Sequence, residues 1–141
     1  MRNVFGAKRD PTGVSKRDVG SGSLKDYGYD LLPRKNNTVL VLAGSDPHQA
    51  ELVALEPVSA LQAFIAPRTA EEERTDAPIP VRFFAESRMT GIVGTVPRGL
   101  EPAVLEALVR LERAGRSTRI PAAITKTRHG LRVELQLGAT R

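Results

Sequence analysis

Residues 91–98 read Gly-Ile-Val-Gly-Thr-Val-Pro-Arg, and a strongly helical stretch follows them. Ile92, Val93, Thr95 and Val96 favour a strand. Gly91 and Gly94 weaken one. A strand that keeps glycine in its middle either bulges or is approached closely by another backbone. Gly94 is such a position, whereas Gly91 needs only to be near a turn. Glycine there permits the sharp coiling that closing a small barrel demands. Pro97 ends the ladder because it has no N–H, which leaves Arg98 pointing outward at the strand-to-helix corner. The run is not a phosphate loop, since it lacks the Gly-Lys-Ser/Thr ending and the strand–loop–helix context.

The elements around this run follow from periodicity and punctuation. Residues 101–114 predict the main helix, with Pro102 in the first turn and Gly115 as the stop. Val104, Leu105, Leu108 and Leu111 form its apolar stripe, with Arg110 and Arg113 off it. Upstream, Thr38–Ala43 predicts a strand. Asp46 reads as the N-cap of a short helix from Pro47 to Leu55, with Gln49 completing a capping-box variant. Val58–Ala66 predicts a second strand. The acidic, proline-bounded stretch 67–80, with Glu71, Glu72 and Glu73, reads as a solvated loop. Residues 81–86 give a third strand, and a tight turn at Ser87-Arg88 leads into a fourth over Met89–Val96. Residues 117–125 predict a strand that Pro121 confines to a sheet edge. His129-Gly130 forms a turn, and 131–137 alternate cleanly, with Leu131, Val133, Leu135 and Leu137 inward and Arg132, Glu134 and Gln136 outward. This order implies an α+β, mainly β fold: a small, partly open SH3-like β-barrel or rolled antiparallel sheet with one main helix.

Residues 1–37 behave differently. They show neither period, carry the linker run Gly20-Ser21-Gly22-Ser23, and cannot bury much surface by composition. They predict an extended basic arm, disordered or ordered by a partner, ahead of one domain over 38–141. Phe5, Tyr27, Tyr29, Leu31 and Leu32 are its candidate docking anchors. The chain's 141 residues suffice for one domain with a core plus such an arm.

Charge is unevenly spread: +4 over residues 1–38, −4 over 39–97 and +5 over 98–141. A basic arm and a basic last third suit a polyanionic partner. The absence of cysteine excludes disulfides and thiolate metal sites. His48 and His129 are too far apart in sequence to suggest zinc and read as turn or first-turn residues. No nucleophile–base arrangement and no spaced carboxylate pair is visible. The expectation is a protein that is not an enzyme and uses no metal, cofactor or small-molecule substrate. With no apolar run near 18 residues and no apolar leader at the start, a cytoplasmic rather than membrane location is expected.

From about residue 39 to 138 the chain resembles the HIRAN domain family, in the form seen in its actinobacterial members. The likeness lies in "GIVGTVPRGLEPAVLEALVRL" (91–111): Val93-Gly94, two more residues, Pro97-Arg98, Leu100 and then a helix. "TDAPIPVRFF" is similar to the family's strand entry, "VLAGSDPHQAELVAL" to its opening strand, turn and short helix, and "AFIAPR" to a strand end. The chain departs from the family where an Asn-Pro-x-Asp-x-Asn-Ala run is reduced to Thr75-Asp76-Ala77-Pro78, and where Thr95 replaces an aromatic. Family members that bind DNA hold a single-stranded 3′ end with aromatic and basic residues. The resemblance thus implies a nucleic-acid-binding module, single-stranded or DNA-end binding, with Arg82, Phe84, Arg88, Arg98, Arg116, Arg119, Lys126 and Arg128 as candidate contacts. The alternative is a structural subunit of a large assembly, such as a virion decoration or adaptor protein, whose arm docks on neighbouring subunits.

Overall fold

The computed structural model describes residues 16–66 and 68–141. Six antiparallel strands form the sheet: β1 (Leu40–Val41), β2 (Gln62–Phe64), β3 (Pro80–Ala85), β4 (Arg88–Thr95), β5 (Arg119–Thr127) and β6 (Gly130–Leu135), in the order β1-β6-β5-β2-β3-β4. Helices are α1 (Gln49–Leu55), α2 (Ala70–Arg74) and α3 (Glu101–Arg113). The sheet rolls until its edges touch: Ala43 and Thr95 exchange both backbone hydrogen bonds, at 2.9 and 2.8 Å. The result is the expected mainly β, partly open barrel with one main helix. Alternation decides which face is inside. Val81, Phe83 and Ala85 of β3 are buried while Arg82 and Phe84 face out, and α3 lays Ala103, Val104, Ala107, Leu108 and Leu111 against the core. Leu105, expected on that stripe, sits half-buried at its flank.

Gly94 lies at the seam of the barrel. A Cβ there would stand 2.8 Å from the Ala43 carbonyl oxygen, 3.0 Å from Ser45 Oγ and 3.2 Å from Leu42 Cβ. Its strand also bulges. Val81 pairs with Gly94 but Arg82 with Ile92, leaving Val93 over, and the register shifts again before Phe84 meets Met89. Each bulge adds twist, so both reasons for a mid-strand glycine operate here. At Gly91 a Cβ would meet nothing closer than Glu51 Oε1 at 3.9 Å.

Several local expectations need correction. Pro121 lies in an interior strand, not at an edge. Residues 119–121 pair with β2 and 122–127 with β6, so the missing N–H falls where the strand changes partners. Its carbonyl still accepts from Gln136 N at 2.8 Å, and Ala122 N donates to the Leu61 carbonyl at 2.9 Å. The acidic stretch 67–80 contains the short helix α2, closed by a reciprocal capping box: Glu72 N donates to Thr69 Oγ1 at 3.1 Å and Thr69 N to Glu72 Oε1 at 2.8 Å. Asp46 does not cap α1. A 3₁₀ turn at Asp46–His48 precedes that helix, and Gln49 reaches sideways to the Leu131 backbone, accepting from its N–H at 2.9 Å and donating to its carbonyl at 3.0 Å.

The larger correction concerns residues 16–37, which lie on the barrel rather than away from it. Ser21 and Val41 exchange backbone hydrogen bonds at 3.0 Å, covering the outer edge of β1. A Cβ on Gly20 would come within 2.5 Å of the Val41 carbonyl oxygen, and the residue has φ 79°, so glycine is required on both counts. Tyr27 joins the core, and burial, helped by the Asp26 charge, pushes its phenol up to about 12. Asp18 is only 1 % exposed. It accepts from Ser45 N at 3.0 Å and Asp46 N at 2.8 Å, and faces Arg132 Nε at 3.5 Å. Arg132, expected to point outward, is itself buried and bonds Asp46 at 2.8 Å. A charge on an outward-reading strand position was satisfied by carboxylates from elsewhere in the chain, which periodicity cannot reveal.

Candidate nucleic-acid interface

The outward face of β5, β2, β3 and β4 is laid out by register. One row runs Arg119, Phe64, Arg82, Ile92 and the next runs Pro121, Gln62, Phe84, Met89. Phe64 and Phe84 are therefore diagonal neighbours, about 7–8 Å apart at the backbone. Both are partly exposed, and Met89 is exposed beside them. The Arg119 guanidinium carbon sits 4.1 Å from the centroid of the Phe84 ring, a cation–π contact on an open surface. Arg119 Nε also donates to Ser117 Oγ at 2.9 Å, which fixes the side chain's direction.

Phe64, Phe84, Met89 and Arg119 line a shallow groove of about 500 Å³, closed on its far side by the end of α3 and the turn after it: Glu112, Gly115, Arg116, Ser117 and Thr118. Gly115 has φ 69°, the left-handed residue that lets α3 stop and the chain turn back into β5. Arg116 is exposed at the rim, with one donor committed to the Ala139 carbonyl at 3.0 Å. Arg82 and Arg88 carry no ion pair among the described residues. Cationic groups, two aromatic faces and a thioether thus share one side of the sheet, with Glu112 the one acid in the lining.

Of the residues named from sequence, the structure brings together Arg82, Phe84, Arg116 and Arg119. Arg88 begins β4 beside Met89 but in register with inward-facing Ala85. Lys126 and Arg128 lie at the β5–β6 hairpin end, with Lys126 about 23 Å along the strand from Arg119. Arg98 is occupied. It bonds the Asp76 carboxylate at 3.1 Å, the Asp76 carbonyl at 2.7 Å and Glu101 at 3.4 Å, tying the end of the acidic stretch to the start of α3. Of the arm anchors, Tyr27 is used inside the molecule and Leu31 is partly buried. Leu32 is 38 % and Tyr29 93 % exposed. Phe5 lies outside the described residues.

Phe64 and Met89 were not singled out from sequence. The signal was present in the period-two alternation that puts Phe64 opposite in phase to buried Ala63 and Ile65. It was unusable without knowing that β2 lies between β3 and β5. Among the described residues no cluster of three or more His, Asp or Glu could hold a metal ion, and no helix is long and apolar enough to cross a membrane. No protein-family model matches the chain, and neither a curated protein nor a solved structure matches it.

Proposed function

We propose that this chain is a HIRAN-like, non-enzymatic nucleic-acid-binding module that takes a single strand across the outer face of β5-β2-β3. The observation that carries the reading is Arg119 stacked at 4.1 Å on Phe84, beside Phe64, in a groove rimmed by Arg116. Single-strand binders combine aromatic faces, on which bases stack, with cations that follow the phosphates. Here Phe64 and Phe84 are spaced for two neighbouring bases of one strand. Arg82 lies beside both on the sheet and Arg116 rims the groove at the end of α3, so a backbone running across the strands meets a cation at each place. Arg119 is itself a stacking surface, since guanidinium planes accept bases as aromatic rings do. The assembly alternative is weakened because Tyr27, one of its anchors, is used within the chain's own core.

The test is fluorescence anisotropy with a labelled single-stranded oligonucleotide. Affinity is expected to fall steeply between about 50 and 200 mM salt. Phe84→Ala should weaken binding about 5- to 100-fold, the loss of one stacked base. Lys126→Ala should change it little. No binding at about 50 mM salt, or a Phe84→Ala protein that binds as wild type, overturns the proposal.

A further inference from the structure

Tyr29 stands almost wholly in solvent on a loop that holds it there. Tyr27 and Pro33 form a β-bridge at the loop's base, and Gly28 N donates to the Leu32 carbonyl at 2.7 Å. Asp30 and Leu31 both adopt positive φ, 64° and 59°, a conformation that disfavours non-glycine residues. The loop rests on one flank of α3, against Glu106, Arg110 and Arg113, with Arg110 Nη1 donating to the Leu31 carbonyl at 3.3 Å. On the opposite flank lies an apolar pit of about 380 Å³, walled by Leu105 and Val109 and floored by Ile65 and Leu108. Two of the six exposed large hydrophobic side chains among the described residues, Tyr29 and Leu32, belong to the knob side.

Knob and pit sit at one level of α3, residues 106–113 against 105–112. At 100° per residue they fall on either side of the outward strip at Val109. A two-fold axis running along α3 therefore brings each knob to the pit of a second copy. The same rotation sets Arg113 of each copy against Glu112 of the other. Both side chains are exposed, and Arg113 has no partner among the described residues. From this self-complementarity we infer that the α3 face is a homodimer interface, with Tyr29 of each copy seated between Leu105 and Val109 of the other. This goes beyond the nucleic-acid reading and does not depend on it. Two aromatic knobs contribute about 150–250 Å² each, well short of the roughly 1,200 Å² at which stable interfaces begin, so the contact is a weak, transient dimer.

The experiment is light scattering on nuclease-treated, full-length protein over a concentration series reaching about 200 μM, where a micromolar dimer is populated. The wild type is expected to rise from the monomer mass of 15.3 kDa to twice that value. Tyr29→Ala should stay monomeric, as should Arg113→Glu and Glu112→Arg singly, whereas the double charge swap Glu112→Arg/Arg113→Glu should dimerise again. Circular dichroism confirms that each variant is folded. A wild type that remains monomeric throughout overturns the inference. So does a dimer indifferent to Tyr29→Ala, or one that the double swap does not restore.

Discussion

Replacing Asp18 by alanine removes a carboxylate that is 1 % exposed and has three partners. The backbone N–H groups of Ser45 and Asp46 lose their acceptor. Arg132, whose side chain is 5 % exposed, is left with one carboxylate, Asp46 at 2.8 Å, and the Leu131 carbonyl at 2.9 Å. Breaking a buried ion pair from one side costs about 3–5 kcal/mol, because the surviving charge stays buried. Stranded N–H groups push the cost towards the upper end. Domains of this size hold only about 5–15 kcal/mol in all, so the variant should be severely weakened. With a urea slope near 2 kcal/mol per molar, the unfolding midpoint should fall by about 1.5–2.5 M. Arg17→Ala is the control. Its contact with Asp46 is 3.5 Å long, with the Arg17 side chain 60 % exposed, and such surface pairs contribute at most about 1 kcal/mol. An Asp18→Ala shift no larger than that of Arg17→Ala would refute the claim that residues 16–37 are part of the domain. A cycle with Arg132→Met adds a second check: the double variant should lose less than the sum of the singles, since neither charge is then stranded against the other.

Other outcomes follow from single positions. Gly94→Ala must push aside the Ala43 backbone at 2.8 Å and should cost about 1–3 kcal/mol in denaturant melts. Gly91→Ala makes only an ordinary contact, with Glu51 Oε1 at 3.9 Å, and should be neutral or stabilise by up to about 1 kcal/mol. An equal response at the two glycines would contradict the seam. Tyr27 has its phenol raised from 10.0 to about 12 by burial, so its stabilisation is complete below pH 10. It is lost as pH rises through 12, about 2–3 kcal/mol over that window. Tyr27→Phe should flatten this alkaline slope in pH-dependent urea unfolding, and an unchanged slope would place the phenol in solvent. Thr69→Ala opens the capping box and should raise amide exchange in α2 about 5-fold, equivalent to about 1 kcal/mol, without moving the global midpoint.

What the sequence determined by itself was local. The strand at 81–86, the helix at 101–114 and its stop at Gly115 were legible because period and punctuation are properties of neighbouring residues. So was the reading of Gly94 as a close-approach position, although which backbone approaches it was not. Four of the eight candidate contacts, Arg82, Phe84, Arg116 and Arg119, share one surface, and their clustering depends on β2 running between β3 and β5. That pairing joins residues about 20 and 57 positions apart, and no local pattern records it. Arg98 looked free because Asp76, its partner, lies 22 residues away. Pro121 looked like an edge marker because a strand's change of partners leaves no mark in its own sequence. The segment 16–37 reads as a linker on composition, since glycine and serine signal entropy rather than contact. Tertiary structure reversed that reading with a few long-range terms: a buried tyrosine, a two-way bridge to β1, and the carboxylate of Asp18 meeting the guanidinium of Arg132 across 114 positions of chain. Burial strengthens those electrostatic terms, and only the folded barrel supplies the burial.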